Sequence, residues 1–586
     1  MQRAQHLPPT LEIQRLRLVH RRDLTALHRG LTRDGRSVLV EVVAAPRDGD
    51  VERLGQEFEL MRAVRSPAVL EPLGVTTQDG YPALVFEDFA GTPLSTHRFV
   101  ELREFLRVAE RMAAALEEVH RAEVIHRDLK PDHFLVDPTT ADVKLLGFGL
   151  ATRTSSEAAA TSVQRLEGSL PYMSPEQTGR MNRAVDSRSD VYSLGIVLFE
   201  MLTGRLPFEA FDRLEWGRCH VVRMPPSPRS FVKTAPDAVA NIVLKCLAKR
   251  AEDRYQTARG LAADLARCRA ALNEDGRVES FALGARDVPD RLQASQALYG
   301  RQVELAALER AFDRVLENCR PELVVVSGEP GVGKSSLVHE LARTITEKNG
   351  SFFVGKFAPY RRDRRGIPNL AIAEAFRAPV RELLGESDIA LATWREHLAD
   401  AIGPNGRLVT ELVPELELVL GPQPPVPSLG MLEDEQRFCH TFTRFVATFL
   451  RNGHPIFLFL DDLEWTDEGS LRLLEHLLTD VGRVPLVVVC AFRDDASSVD
   501  HPMWSTLDRV RALGQPLDHI RLQPLSLDDV TELVADTLRR AETDVRGLAE
   551  LLFAKTGGSP FFVVQFMHEL ATRRMLFFDD EEHAWR

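Results

Sequence analysis

The stretch "VVVSGEPGVGKSSLVHEL", residues 324 to 341, has the residue types and spacing needed to bind phosphate groups. It fits the pattern G-x-x-x-x-G-K-S, between an apolar run and a helical pattern. Glycines let successive backbone amides point at an anion, the lysine neutralises phosphate charge, and the first serine holds Mg²⁺. The candidate phosphate-binding residues are Gly328, Gly331, Gly333, Lys334, Ser335 and Ser336.

A later apolar run ends in two carboxylates. The segment "PIFLFLDDLEWTD", 455 to 467, places Asp461 and Asp462 directly after what looks like a buried strand, as in a Walker B segment. Carboxylate and hydroxyl oxygens are the ligands that Mg²⁺ prefers. We therefore expect Ser335 and Asp461 to form the metal site, with Asp461 binding through water.

The first half carries a different set of candidates. "VIHRDLKPDHFLVD", 124 to 137, resembles the catalytic loop of protein kinases, and its Lys-Pro pair is typical of the serine/threonine class. The resemblance implies that Asp128 lies near an attacking hydroxyl and Lys130 near the transferred phosphate. "GSLPYMSPEQ", "DVYSLGIVLFEMLTGRLPF" and "RAEDRYQ" follow in kinase order, so Glu176 is expected to pair with Arg254.

Three groups that kinases use to hold Mg-ATP are replaced. Glu41 stands at the position of the strand lysine, His133 at that of the metal-binding asparagine, and Gly147 at that of the metal-binding aspartate. The glycine-rich loop is absent as well. Glu41 and Glu57 would then face each other, and we expect Glu57 to turn away or to find an arginine. The sequence predicts a pseudokinase.

The second half resembles the STAND class of AAA-related signalling ATPases. In that class Asp462 occupies the position of a water-activating acid, and Arg493, in "VVVCAFRDD", that of a residue which senses the γ-phosphate. "LYGRQVEL" places Arg301 near the nucleotide, and "FAKTGGSPFF" places Pro560 near adenine in a helical lid. Ser559 replaces the more usual asparagine. The resemblance implies ATP and Mg²⁺ as ligands.

These residues need two kinds of scaffold. The expected fold is multidomain: a bilobal protein-kinase-like α+β fold followed by an α/β P-loop NTPase, a parallel sheet flanked by helices, with a helical lid. The expected boundaries are a kinase-like domain at 1–270 (lobes about 1–90 and 91–270), a linker at 271–295, an ATPase core at 296–520, a lid at 521–575, and the start of a truncated following region at 576–586.

Composition excludes some classes of protein. The net charge of −13 argues against a general nucleic-acid binder, and the basic run "YRRDRRG", 360 to 366, favours a solvated loop. No apolar run approaches the roughly 20 residues of a membrane span. The six cysteines form no CxxC pair, which favours buried free thiols in a reducing cytoplasm.

The expected function is therefore a cytoplasmic signalling ATPase switch with a kinase-like regulatory or docking domain. Expected partners are proteins that bind this domain or missing C-terminal modules, with nucleotide-dependent self-association and no nucleic acid. Two alternatives remain open: an active serine/threonine kinase with unorthodox metal binding that the ATPase half regulates, and a nucleotide-bound scaffold without turnover.

Overall fold

The chain divides into two compact units, and the division falls between Pro289 and Asp290. The basic run 360–366 lies outside the described residues, as do parts of the N-terminus and of the predicted linker. The computed structural model describes residues 13–22, 25–45, 50–78, 80–99, 101–154, 168–179, 183–272, 278–358, 369–384, 388–428, 430–450, 454–494, 501–579, 582 and 584–586.

The first unit begins with a five-stranded antiparallel sheet in the order β1-β2-β3-β5-β4. Helix α1 packs against it through an apolar face that includes Leu54, Phe58 and Met61, at the spacing of successive helical turns. The elements are β1 (Ile13–Arg21), β2 (Thr25–Thr32), β3 (Ser37–Val43), α1 (Asp50–Val64), β4 (Pro72–Gln78) and β5 (Tyr81–Glu87).

The rest of this unit is mostly helical around one buried helix, α3, as predicted. Asp190 of α3 is fully buried and accepts hydrogen bonds of 2.8 Å from the amides of His126 and Arg127, which fixes the loop that carries Asp128. The elements are β6 (Thr92–Pro93), α2 (Leu102–Arg121), β7 (Val124–Ile125), β8 (Phe134–Val136), β9 (Val143–Leu145), β10 (Thr152–Arg153), α3 (Ser187–Thr203), α4 (Arg213–Val221), α5 (Asp237–Cys246) and α6 (Ala258–Ala271).

The second unit is built on a five-stranded parallel sheet in the order β12-β13-β14-β11-β15. Its central strands are buried, because helices cover both faces, and this explains their continuous apolar sequences. The strands and the helices up to α16 are α7 (Gln302–Asn318), β11 (Glu322–Gly328), α8 (Lys334–Glu347), β12 (Ser351–Lys356), α9 (Leu370–Glu374), α10 (Arg377–Leu383), α11 (Asp388–Ile402), α12 (Gly406–Thr410), α13 (Leu416–Leu420), α14 (Met431–Leu450), β13 (Ile456–Asp461), α15 (Glu468–Thr479), β14 (Leu486–Arg493), α16 (Pro502–Ala512) and β15 (Leu517–Arg521).

Three helices follow the sheet, in the region predicted as a lid. They are α17 (Leu527–Leu538), α18 (Glu542–Thr556) and α19 (Pro560–Thr572). A hairpin of β16 (Phe578–Asp579) and β17 (Ala584–Trp585) follows them. The fold class expected from the sequence is confirmed: an antiparallel small lobe and a helical large lobe, then a parallel sheet with helices.

Two expectations from composition can be compared with the structure. Among the described residues, no helix is both long enough and apolar enough to cross a bilayer. Five of the six cysteines are buried free thiols, but Cys319 is exposed at the end of α7, so the expectation of burial is wrong for that residue.

Candidate functional site

The phosphate-binding loop of the second unit joins β11 to α8. Gly333 ends it with φ 99°, a conformation that only glycine adopts without strain. Gly331 has φ 78°, and a Cβ there would lie 2.9 Å from Cβ of Phe561. The loop therefore needs glycine for its turns and for the close approach of Phe561, which begins the helix α19 together with Pro560. Ser336 lies exposed on the first turn of α8.

Lys334 and Ser335 are the first residues of α8. Nζ of Lys334 donates to the carbonyls of Gly328 and Glu329, at 2.9 and 3.0 Å, so the lysine folds over its own loop. Burial lowers the pKa of this amine, and the charge of Glu464 is the strongest influence that raises it. A bound phosphate would supply a stronger partner than the two carbonyls.

Ser335 and Asp461 lie together, as the sequence predicted. Oγ of Ser335 donates to Oδ2 of Asp461 at 2.9 Å. Burial and the neighbouring charge of Asp462 raise the pKa of Asp461, which a cation would reverse. One hydroxyl and one carboxylate beside a phosphate loop are hard oxygen donors, and this donor set fits Mg²⁺.

The strand order places Arg493 between the two motifs. Strand β14 pairs with β11 on one side and with β13 on the other, and Arg493 is its last residue. Nη2 of Arg493 lies 3.9 Å from Oδ1 of Asp462, and its Nε contacts Oε1 of Glu464. The sequence motifs did not indicate Glu464 or Lys356, whose Nζ lies 3.2 Å from Oδ2 of Asp462.

Arg301 and Pro560 also lie beside the loop. Arg301 is buried, and its Nη2 donates to the carbonyls of Val332, at 3.3 Å, and of Gln523. It therefore holds the backbone of the loop. Pro560 is the first residue of α19, and the next amide, from Phe561, donates to the Gly331 carbonyl at 3.3 Å. Helix α19 thus contacts the loop directly.

The first unit has a different charge arrangement at the corresponding position. Oε1 of Glu41 accepts from Nη1 of Arg22 and from Oγ1 of Thr25, both at 2.8 Å. Nη2 of Arg22 also donates to the carbonyl of Asp132 at 2.5 Å. Arg22 is buried and joins the small lobe to the catalytic loop. The sequence motifs gave no signal for Arg22, because it follows β1, in a segment without a recognisable pattern.

Glu57 did not behave as expected. It remains buried near Glu41, and the arginine pairs with Glu41 instead. Burial, followed by the charge of Glu41, raises the pKa of Glu57 to about 8, and the amide of Phe148 donates to it. Glu57 therefore neither turns away nor pairs with an arginine, and that expectation is wrong. Its raised pKa favours the protonated carboxyl, which relieves the repulsion from Glu41.

The catalytic loop keeps part of the kinase geometry. Oδ1 of Asp128 accepts from the amide of Ser169 at 2.8 Å, and Nζ of Lys130 lies 3.7 Å from Oδ2. Burial lowers the pKa of His133 well below its ordinary value, and its Nδ1 donates to the Asp128 carbonyl at 2.6 Å. Gly147 has φ 83°, and a Cβ there would lie 2.6 Å from the His133 ring. The imidazole therefore fills the space of the missing aspartate.

The predicted ion pair of the large lobe is present. Nη1 and Nη2 of Arg254 donate to the two carboxylate oxygens of Glu176, at 2.7 and 3.0 Å. Burial acts to raise the pKa of Glu176, but the charge and hydrogen bonds of Arg254, together with the hydrogen bond from Ser189, outweigh it and lower the pKa to about 2. The pair is structural, because Arg254 is completely buried.

Comparison with known proteins agrees with both halves of this geometry. Residues 30–265 match the family model "Protein kinase domain", and residues 297–489 match "AAA ATPase domain". The chain therefore contains a protein kinase domain followed by an AAA ATPase domain.

Similar proteins fall into two groups. "Hybrid signal transduction histidine kinase G" of Dictyostelium discoideum is 25% identical over 83% of this chain and 18% of its own length. "Serine/threonine-protein kinase PrkC" of Bacillus subtilis is 31% identical over 37% of this chain and 33% of its own. "Serine/threonine-protein kinase Pkn1" of Myxococcus xanthus is 32% identical over 35% and 30%. The chain thus spans a third or less of the length of these relatives.

Proposed function

We propose that this chain is a signalling ATPase switch of the STAND kind, in which the second unit binds and hydrolyses ATP. The kinase domain has lost phosphoryl transfer and acts as a regulatory or docking module. The observation that carries the proposal is the difference in charge at the two phosphate positions. Lys334 lies at the phosphate position of the second unit, whereas Glu41, neutralised by Arg22, lies at that of the first unit.

The residues of the second unit divide the work of ATP hydrolysis. Amides of the loop and Lys334 bind the phosphates, and Ser335 and Asp461 hold Mg²⁺, which neutralises charge on the phosphates when bound. The acidic segment after β13 orients and deprotonates water. Arg493 stabilises the charge that develops on the terminal phosphate.

The cleft of the kinase domain disfavours ATP for a physical reason. ATP carries about four negative charges, and phosphoryl transfer depends on neutralising them. Here Arg22 is already bound by Glu41 and by the Asp132 carbonyl, so ATP must break both interactions. His133 also fills the space next to Gly147 where a metal ligand would project.

The lid supplies the switch. The amide of Phe561 bonds to the phosphate-binding loop, so a change in that loop on ATP binding reaches α19 directly. We place the output in protein partners that recognise the kinase domain or further modules, and in nucleotide-dependent self-association. The absence of a membrane-spanning helix from the described residues and the cysteine usage support a cytoplasmic location.

One observation favours a second candidate, an active serine/threonine kinase with unorthodox metal binding. Asp128, Lys130 and Ser169 keep a compact hydrogen-bonded arrangement in the catalytic loop. Such a loop could orient a substrate hydroxyl, although it supplies only one cation for the phosphates. A third candidate, a scaffold that holds ATP without turnover, differs from the first only in hydrolysis.

The test uses the 586-residue chain and three variants. Lys334→Ala should abolish binding of labelled ATP and phosphate release, whereas Lys348→Ala, which removes an exposed lysine just after the same helix, should leave both unchanged. Tight ATP binding that survives Lys334→Ala, with autophosphorylation that Asp128→Asn abolishes, would favour the active kinase. Binding through Lys334 without phosphate release would favour the scaffold.

A further inference from the structure

Glu464 is a carboxylate in the second unit that has no role so far. It lies on the short 3₁₀ helix Leu463–Trp465, directly after β13. Its side chain is only 16% exposed, and both carboxylate oxygens are buried. The Arg493 guanidinium forms an ion pair with Oε1, and within the described part of the chain no group donates a hydrogen bond to Oε2. A buried carboxylate with free lone pairs needs a hydrogen-bond donor.

Asp462, the residue that the sequence suggested for activating water, has different surroundings. Its backbone is in the left-handed region, with φ 57°, and its Oδ2 lies 3.2 Å from Nζ of Lys356. Its Oδ1 lies 3.9 Å from Arg493. The side chain of Asp462 is therefore already placed between two cations.

Glu464 also lies on the phosphate side of the site. It contacts Arg493, and Arg493 lies opposite Gly328 of the phosphate-binding loop in the pairing of β14 with β11. Lys334 reaches the terminal phosphates in a loop of this kind. A water molecule between that phosphate and Glu464 would give Oε2 the donor that it lacks.

We propose that Glu464 is the residue that accepts the proton of the attacking water, and that Arg493 restrains it in an ion pair until ATP binds. The γ-phosphate attracts Arg493 and so frees Glu464. The water oxygen then forms a bond to the γ-phosphorus, its proton moves to Glu464, and the bond from phosphorus to the bridging oxygen breaks. ADP and phosphate result, and Glu464 returns its proton to the released phosphate or to solvent.

This inference rests on the proposed hydrolysis of ATP, and it makes two predictions of opposite sign for Glu464→Gln. Phosphate release should slow by about 10²–10⁴-fold, the usual contribution of a general base. Affinity for ATP should rise by about fivefold, because binding no longer has to break the ion pair between Arg493 and Glu464, and a partly exposed pair of this kind is worth about 1 kcal/mol. Damage to the structure would instead weaken binding.

The matched variants are Arg493→Ala, Asp462→Asn and Glu468→Gln, the last at an exposed position on the next helix. Arg493→Ala should weaken binding of ATP but not of ADP, because ADP lacks the γ-phosphate. Asp462→Asn should slow phosphate release much less than Glu464→Gln does. Glu468→Gln should behave as the unaltered chain. Affinities are measured with fluorescent ATP and ADP analogues and rates by phosphate release.

The outcomes separate this inference from the proposed function. Normal turnover by Glu464→Gln, with slow turnover by Asp462→Asn, would overturn the assignment while hydrolysis itself stands. Weaker binding of both ATP and ADP by Glu464→Gln would overturn the restraint by Arg493. The proposed function itself fails if the unaltered chain releases no phosphate and if Lys334→Ala binds ATP with the same affinity as the unaltered chain.

Discussion

Replacing Glu57 by glutamine should stabilise the kinase domain at alkaline pH and leave it unchanged at acidic pH. Glu57 lies on α1 with 7% of its surface exposed, near Glu41. Burial and the charge of Glu41 raise its pKa to about 8. Glutamine has nearly the shape of the protonated carboxyl, so it keeps the packing and removes the ionisation.

The magnitude follows from linkage. In the unfolded chain the ordinary pKa of 4.5 applies, and the interval to about 8 corresponds to at most about 5 kcal/mol. Relaxation around the carboxylate reduces this to on the order of 2–5 kcal/mol. Because the folded pKa is the higher one, the stabilisation is complete below pH 4.5 and is lost as pH rises through about 8.

The assay is thermal unfolding of the full chain at pH 5 and pH 9, followed by hydrogen exchange in peptides from α3, which reports the first unit alone. For 3 kcal/mol, Tm of Glu57→Gln should exceed that of the unaltered chain by roughly 6–12 °C at pH 9 and by much less at pH 5, which lies near the ordinary pKa. Glu59→Gln, on the exposed face of the same helix, is the control. Equal Tm values for Glu57→Gln and the unaltered chain at pH 9 would mean that ionisation of Glu57 costs the folded protein no stability, so that its pKa is not raised, and would refute the reasoning.

Two further predictions concern the same domain. Glu176→Gln should lower its stability by about 3–5 kcal/mol, because Arg254 is left buried without a counter-charge; a normal thermal transition of that unit would contradict this. Gly147→Asp alone should unfold the loop, since its Cβ would clash with His133, whereas combined with His133→Asn and Glu41→Lys it should restore binding of labelled Mg-ATP. If the triple variant folds and still ignores ATP, the missing glycine-rich loop is the dominant defect.

Much of the local structure follows from the sequence alone. The β-rich run Ser37–Val43 and the helical pattern that ends at Val64 appear as β3 and α1, because alternation and helical spacing of apolar residues are local signals. The phosphate loop is equally local, since its glycines and lysine are contiguous. The replacement of the three groups that hold Mg-ATP in kinases, by Glu41, His133 and Gly147, could also be read from the sequence, because each group has a fixed position in a kinase motif.

The hydrogen-bond and ion-pair partners of those residues could not be predicted from the sequence. Arg22 and Glu41 are separated by 19 residues, and Arg22 and Asp132 by 110, so no spacing rule relates them. The expectation that Glu57 would find an arginine was wrong for this reason. Which carboxylate receives a buried guanidinium depends on how the strands and the two lobes pack.

The ATPase site shows the same division. The sequence determined that Ser335 and Asp461 follow buried strands, but not that β14 lies between these strands. That strand order brings Arg493 to Asp462 and Glu464, and the turn after β13, with its left-handed residue, points Glu464 inward. A motif specifies the roles of residues that are close together along the chain. Charge pairing depends instead on distances that exist only after the sheet has formed, because electrostatic energy depends on separation in space and not along the sequence.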